Sequence, residues 1–228
     1  MDDINKKTLG IRSGQQYLSG LQDDREVWTN GKRIKDVTKH ASTKRCAKTL
    51  ASFLDRQFET KFIKKLTYLD SEGIRCGISF KPPTSVDDII ERGKAYYEWA
   101  TWSNGMFGRT PDYKNASIMS FSLAKSWLDS GNEKGIPKGL FSENMQKYYD
   151  YVRLNDKILT HTLVNPQKSY QVALEGKYDE EVALHVVKET DAGIIVKGAR
   201  LLATLGPIAD EIEVFPSTLL KGSKDNLM

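Results

Sequence analysis

The chain has 228 residues, 39% of them hydrophobic and 28% charged, with 34 basic and 30 acidic residues alternating to a formal net charge of +4. That length is enough for one large domain or two small ones, and the composition is that of an ordinary globular protein. Neither sign of charge forms a long block, which argues against a nucleic-acid stripe, and no run of about 18 apolar residues offers a membrane span.

The N-terminal residues Met1-Asp2-Asp3-Ile4-Asn5-Lys6-Lys7 lack the apolar core of a secretion signal. Cys46 and Cys76 stand alone and form no Cys-x-x-Cys pair, so free thiols and a cytoplasmic setting are expected. His40, His161 and His185 lie far apart, and no metal site is expected.

Taken in chain order, the first 155 residues read as helical. Ser85-Val86-Asp87-Asp88 has the form of a capping box, with Ser85 at the N-cap and Asp88 three positions on. Behind it Ile89, Ile90, Tyr96, Tyr97 and Ala100 recur at helical spacing. Met145, Tyr148, Tyr149 and Val152 repeat that period between Ser142 and Asp156. The glycine- and charge-rich run from Asp129 to Gly139 reads as a loop. Trp28, Trp99, Trp102 and Trp127 sit in helical patterns and are expected in the core.

Beyond His161 the texture changes. Val182–Val187, Gly193–Gly198 and Glu211–Phe215 are short and rich in β-branched residues, as strands are. The expected parse is α+β: a helical domain over residues 1–155, then an incomplete β-domain over 156–228 whose few strands leave open edges.

The densest local signal is Gly105-Met106-Phe107-Gly108-Arg109-Thr110-Pro111-Asp112-Tyr113. Its glycines and Pro111 make a tight turn that could present a guanidinium and a phenol together. Read alone, Arg109 is equally a surface arginine and Tyr113 a core aromatic.

Gly108–Tyr113 matches the Gly-Arg-Ser/Thr-Pro-Asp-Tyr signature of the two-component aromatic hydroxylases of the 4-hydroxyphenylacetate 3-monooxygenase type. Thr160-His161-Thr162-Leu163-Val164-Asn165-Pro166-Gln167 resembles that family's histidine motif, and Glu189–Arg200 with Leu202-Ala203-Thr204 resembles its next block. Arg12–Leu18, Asp24-Arg25 and Asp36-Val37-Thr38 fit the family's opening, so the likeness runs along essentially the whole chain in family order.

The resemblance implies an acyl-CoA-dehydrogenase-like fold, with a helical N-terminal domain and the start of a β-barrel middle domain, the C-terminal helical bundle being absent. It implies the oxygenase component of a two-component flavin monooxygenase. Such an enzyme takes reduced FAD from a separate NADH-dependent reductase and uses O2 to hydroxylate a phenol ortho to its hydroxyl. A homo-oligomer is implied as well, a tetramer in the family.

Carried over residue by residue, Arg109, Tyr113 and His161 match the positions that hold the phenol. His161, Thr162, Leu163, Gln167, Leu202, Ala203 and Thr204 match flavin contacts, and Ser217 and Thr218 fall where a substrate-covering loop would lie. The chemistry suits the residue types. A free phenol has a pKa near 10, and a fixed cation within about 4–6 Å lowers an acid's pKa by roughly 1–3 units, making the ring more electron-rich. Arg109 keeps its charge, His161 can take the phenol proton near neutral pH, and Tyr113 can donate to the oxygen.

Three departures accompany the match. The chain is about half the family's length, Asp129–Gly139 looks like an insertion, and Lys168-Ser169-Tyr170 replaces the usual Asp-Arg pair after Gln167. Two other readings are a truncated, inactive remnant of such an enzyme and a relative of the hydroxyacyl-CoA dehydratases. The second needs several thiolates for an iron–sulfur cluster, and the sequence has two cysteines.

Overall fold

A computed structural model of the chain describes residues 10–105, 112–130, 138–164, 166, 182–191 and 193–215. The chain divides into two compact units, residues 1–158 and 159–228.

The first unit begins with α1 (Gly14–Gly20), opened by a capping box between Ser13 and Gln16. Tyr17 of α1 is fully buried, and Gly14 lies so close to α2 (Lys44–Arg56) that a Cβ there would sit 2.4 Å from the Ala51 carbonyl oxygen. The Gly14 N–H donates to Asp55 Oδ1 at 2.7 Å, which fixes the register of the two helices. Between them runs a hairpin of β1 (Val27–Thr29) and β2 (Lys32–Ile34). After α3 (Ile63–Leu66) comes a second hairpin, β3 (Thr67–Leu69) and β4 (Arg75–Gly77), leading into a 3-10 turn at Ile78–Phe80.

Among the described residues four further helices follow in this unit: α4 (Val86–Trp102), α5 (Asp112–Leu123), α6 (Lys125–Ser130) and α7 (Leu140–Leu154). Arg153 of α7 ties the second hairpin to the helices. Its guanidinium bonds Asp70 at the turn after β3 and, at 3.0 Å, Asp150 on its own helix. Tyr149 one turn earlier donates to the Phe80 carbonyl at 2.6 Å. Burial around this cluster pushes the Cys76 thiol up to about 11 despite the adjacent guanidinium, whereas Cys46 is exposed. Trp102 packs in a cage of Phe53, Phe62 and the Arg56 guanidinium, which lies 4.0 Å from its ring centroid.

The helix α4 forms where its sequence spacing indicates one. The capping box forms as read, with Ser85 accepting from the Asp88 N–H and Asp88 accepting in return from the Ser85 N–H. The buried face, however, is Asp88, Arg92, Ala95 and Trp99, while Val86, Ile89, Ile90 and Tyr97 face outward. The periodic apolar residues mark the helix but not its packed side. Gly93 lies in the middle of the outward stripe, and a Cβ there would meet nothing within 4 Å. A further apolar cleft of about 650 Å3 lies between α6 and α7, lined by Trp127, Leu128, Phe141, Met145 and Tyr148.

Three expectations are corrected here. The helical half carries two β-hairpins, because short polar turns at Asn30-Gly31 and Asp70–Gly73 reverse segments too short to show a period. Of the four tryptophans expected in the core, Trp99 is buried, whereas Trp28 lies on β1 and is 59% exposed and Trp127 is 66% exposed. The expected loop from Asp129 overlaps the last turn of α6, and residues 131–137 lie outside the described residues.

The second unit holds two two-stranded sheets among its described residues. Strand β5 (Leu159–Thr162) pairs in parallel with β8 (Glu211–Val214), with His161 opposite Glu213. Between them in sequence stands an antiparallel hairpin of β6 (His185–Thr190) and β7 (Gly193–Lys197), with an irregularity at Val187. The first strand expected in this half begins three residues later than read, since Val182–Leu184 form a turn and a single bridge. Among the described residues no helix is long and apolar enough to cross a membrane.

Replacing Gly93 by Ala should stabilise the first unit by about 0.5–1 kcal/mol, since a helix interior favours Ala and there is room for the methyl group. The same change at Gly14 should destabilise it, and urea titrations of both variants check the contrast. Asp88 gives a second expectation. Its ion pair with Lys81, at 2.6 Å, and its hydrogen bonds from Thr84 and Ser85 hold its carboxyl well below the ordinary value of 3.8. A depressed carboxyl pKa contributes stability that is complete above the unfolded value and is lost as pH falls through the folded one. The stability gap between wild type and Asp88→Asn should therefore be largest near neutrality and begin to narrow below about pH 4. A gap that does not change with pH would remove the carboxylate from the account.

Candidate active site

The candidate site residues fall in both units. In the first, Arg109 lies outside the described residues, together with residues 106–111. Tyr113 is on the first turn of α5, 48% exposed, with the Lys114 ammonium 5.5 Å from its ring centroid. Two residues on, Asn115 is 1% exposed and its amide donates to Ser79 Oγ at 2.9 Å. That bond anchors the start of α5 to the 3-10 turn at Ile78–Phe80, so Tyr113 stands on a fixed helix end.

In the second unit, β5 presents His161, Thr162 and Leu163 in succession. Pairing with β8 sets the strand, and alternation sends adjacent side chains to opposite faces. His161 is 2% exposed, and its ring stands edge-on to Phe215 with centroids 6.2 Å apart. Leu163, just past the strand, is 40% exposed.

The structure brings Leu202, Ala203 and Thr204 to this same strand end. The Leu201 N–H donates to the Val164 carbonyl at 2.8 Å, and Thr162 Oγ donates back to the Leu201 carbonyl. The segment crosses the end of β5 in a single antiparallel bridge, Val164 to Leu201. Leu202 then takes a left-handed conformation, φ +67°, and is 73% exposed. A branched side chain pays a steric cost there, of order 1–2 kcal/mol, and such positions gather at binding sites. Gln167, Ser217 and Thr218 lie outside the described residues.

The donor set fits an isoalloxazine ring. A flat, largely apolar tricycle with polar edges needs an aliphatic platform and a few fixed hydrogen-bonding groups. Leu163, Leu201 and Leu202 supply exposed aliphatic surface, and Thr204 supplies an exposed hydroxyl in the same segment. His185 donates from its Nδ1–H to the Ala183 carbonyl oxygen at 2.7 Å, at the root of the hairpin.

The interactions that tie this site together escaped the sequence reading. Thr162 and Arg200 both stood within recognised motifs, yet their partners are 39 and up to 37 residues away. No local pattern records such contacts.

The family model described as "4-hydroxyphenylacetate 3-hydroxylase N terminal" matches residues 13–227. The 4-hydroxyphenylacetate 3-monooxygenase oxygenase component of Geobacillus sp. (strain PA-9) is 39% identical over 216 residues, covering 94% of this chain and 42% of that protein. The oxygenase component of Thermus thermophilus is 37% identical over 215 residues, with the same coverage of both chains. Among solved structures, the oxygenase component HpaB complexed with FAD and 4-hydroxyphenylacetate superposes with a TM-score of 0.83 at 37% identity, over 95% of this chain and 43% of that one. An archaeal 4-hydroxybutyryl-CoA dehydratase from N. maritimus shares the fold, with a TM-score of 0.75 at 16% identity. The chain thus spans about two fifths of the length of the curated relatives it matches. With a family model covering nearly all of it, the chain belongs to the 4-hydroxyphenylacetate 3-hydroxylase family and corresponds to its N-terminal part.

Proposed function

We propose that this chain is the N-terminal part of the oxygenase component of a two-component flavin monooxygenase, acting in the cytoplasm as a homo-oligomer of acyl-CoA-dehydrogenase-like fold. It would hydroxylate a phenol of the 4-hydroxyphenylacetate kind ortho to its hydroxyl. The observation that carries this reading is the likeness, along residues 13–227, to oxygenases of which one is solved with FAD and 4-hydroxyphenylacetate.

Reduced FAD, supplied by a separate NADH-dependent reductase, would bring the activation of O2 when bound. The residues do the rest. His161, Thr162, Leu163, Gln167 and the Leu202-Ala203-Thr204 segment would hold the cofactor, with Leu163 and Leu202 as its aliphatic platform. Arg109 would stabilise the phenolate by charge, and Tyr113 would donate a hydrogen bond to the same oxygen. His161, which is buried, would accept the phenol proton and return it away from bulk water. Ser217 and Thr218 would lie in the segment that covers the substrate.

The dehydratase reading shares the fold alone. Cys46 and Cys76, the chain's two cysteines, stand on different elements and are too few to hold an iron–sulfur cluster.

The test compares this chain with one extended by the C-terminal part of a relative, each given NADH, FAD and a flavin reductase, with catechol and hydrogen peroxide both measured. The extended chain should form catechol, and the 228-residue chain should release mainly peroxide. Omitting the reductase should abolish turnover beyond the non-enzymatic background. In the extended chain, Arg109→Gln should lower kcat/KM roughly 10- to 1000-fold, the equivalent of 1–3 pKa units on the phenol. An extended chain that binds FAD yet never yields catechol from any phenol would end this reading, and efficient catechol formation by the 228-residue chain alone would show that it needs no further part.

A further inference from the structure

Parallel strands β5 and β8 end at Thr162 and Val214, and the ladder stops there. The next carbonyls, Leu163 and Phe215, are both taken by one side chain. Arg200 donates from Nη2 to the Phe215 carbonyl at 2.6 Å and from Nη1 to the Leu163 carbonyl at a longer 3.4 Å. A guanidinium can do this because its donors diverge in a rigid plane, and charged donors make the stronger hydrogen bonds. A lysine ammonium is a point charge on a flexible stem and does not span two carbonyls in the same way.

Arg200 is placed so that three segments meet on it. It lies two residues before Leu202. It grips the residue after Thr162, and it grips Phe215, whose N–H in turn donates to the Thr162 carbonyl at 3.3 Å. Phe215 also stands against the His161 ring and immediately precedes the stretch that contains Ser217 and Thr218.

We propose that Arg200 is a positioning residue that clamps the ends of β5 and β8 to the Leu202–Thr204 segment and so sets the geometry of the flavin-binding edge. It touches neither cofactor nor substrate in this role. The proposal rests on the functional reading above, and it adds a residue and a task to that reading. A purely structural arginine would affect FAD only in proportion to lost folding. A positioning arginine alters how FAD sits while the unit remains folded.

The experiment titrates FAD into the 228-residue chain and into Arg200→Met and Arg200→Lys. It records affinity by calorimetry, the visible circular dichroism of bound FAD, and the thermal midpoint of each FAD-free chain. Arg200→Met should weaken FAD binding at least tenfold and change the dichroism of what remains bound, with a midpoint within a few degrees of wild type. Arg200→Lys should recover the midpoint fully but the affinity only in part, and should keep an altered dichroic band. If Arg200→Met fails to fold, Arg200→Lys decides: affinity and band equal to wild type overturn the proposal. Wild-type binding with an indifferent Arg200→Met overturns the clamp alone. A wild-type chain that binds no FAD overturns the role of Arg200 in this chain, whereas the functional reading stands or falls on the extended chain.

Discussion

The candidate cofactor edge depends on a single peptide unit, that of Leu201. Its N–H is given to Val164 and its carbonyl takes the Thr162 hydroxyl, so a segment nearly 40 residues downstream is laced across the end of β5. Without that exchange the two halves of the edge, Thr162-Leu163 and Leu202–Thr204, would be joined only by Arg200 and the loops between them. Thr162 is 3% exposed, and a buried hydroxyl of this kind must find an acceptor or cost on the order of 1–3 kcal/mol. The same requirement that makes Thr162 bond something thus chooses Leu201 as the something. A solvation constraint becomes a site constraint.

What the sequence revealed was whatever is written in neighbouring residues. The Ser85–Asp88 capping box, the helix through Tyr149 and Val152, and the strand from Glu211 all depend on contacts within a few positions, and all are present. What it hid was orientation. On α4 the apolar repeat is real, yet Asp88 and Arg92 take the inner side, because Asp88 gathers Lys81, Thr84 and Ser85, and Arg92 donates to the Lys81 carbonyl and to Tyr96. On β8, Ile212 and Val214 are the exposed pair and the glutamates the more covered one. Hydrophobic period identifies an element, and only its neighbours decide which face is covered. The residues of the candidate site were named by family likeness, since neither the Thr162–Leu201 bond nor the arginine fork has a local signature.

These outward apolar faces form a pattern in themselves. The α4 stripe, the α6–α7 cleft and much of the β6–β7 hairpin place aliphatic and aromatic side chains at the surface of the chain. A soluble monomer seldom shows contiguous apolar patches beyond a few hundred Å2. The chain also matches only about two fifths of its curated relatives.

The hairpin β6–β7 has two ends of opposite character. At its root Gly198 holds φ +121°, and any side chain there would fall 2.2 Å from the Ala183 carbonyl oxygen. At its tip Gly193, also at positive φ, has no neighbour near enough to meet a Cβ, and the Thr190 hydroxyl donates to the Gly193 carbonyl across the turn. The hairpin is therefore a lever with a rigid hinge and a free end. Inserted residues or a fluorescent label would be carried at the tip without strain reaching the strands, whereas one methyl group at the root would pry the hairpin from the bridge between Ala183 and Ala199.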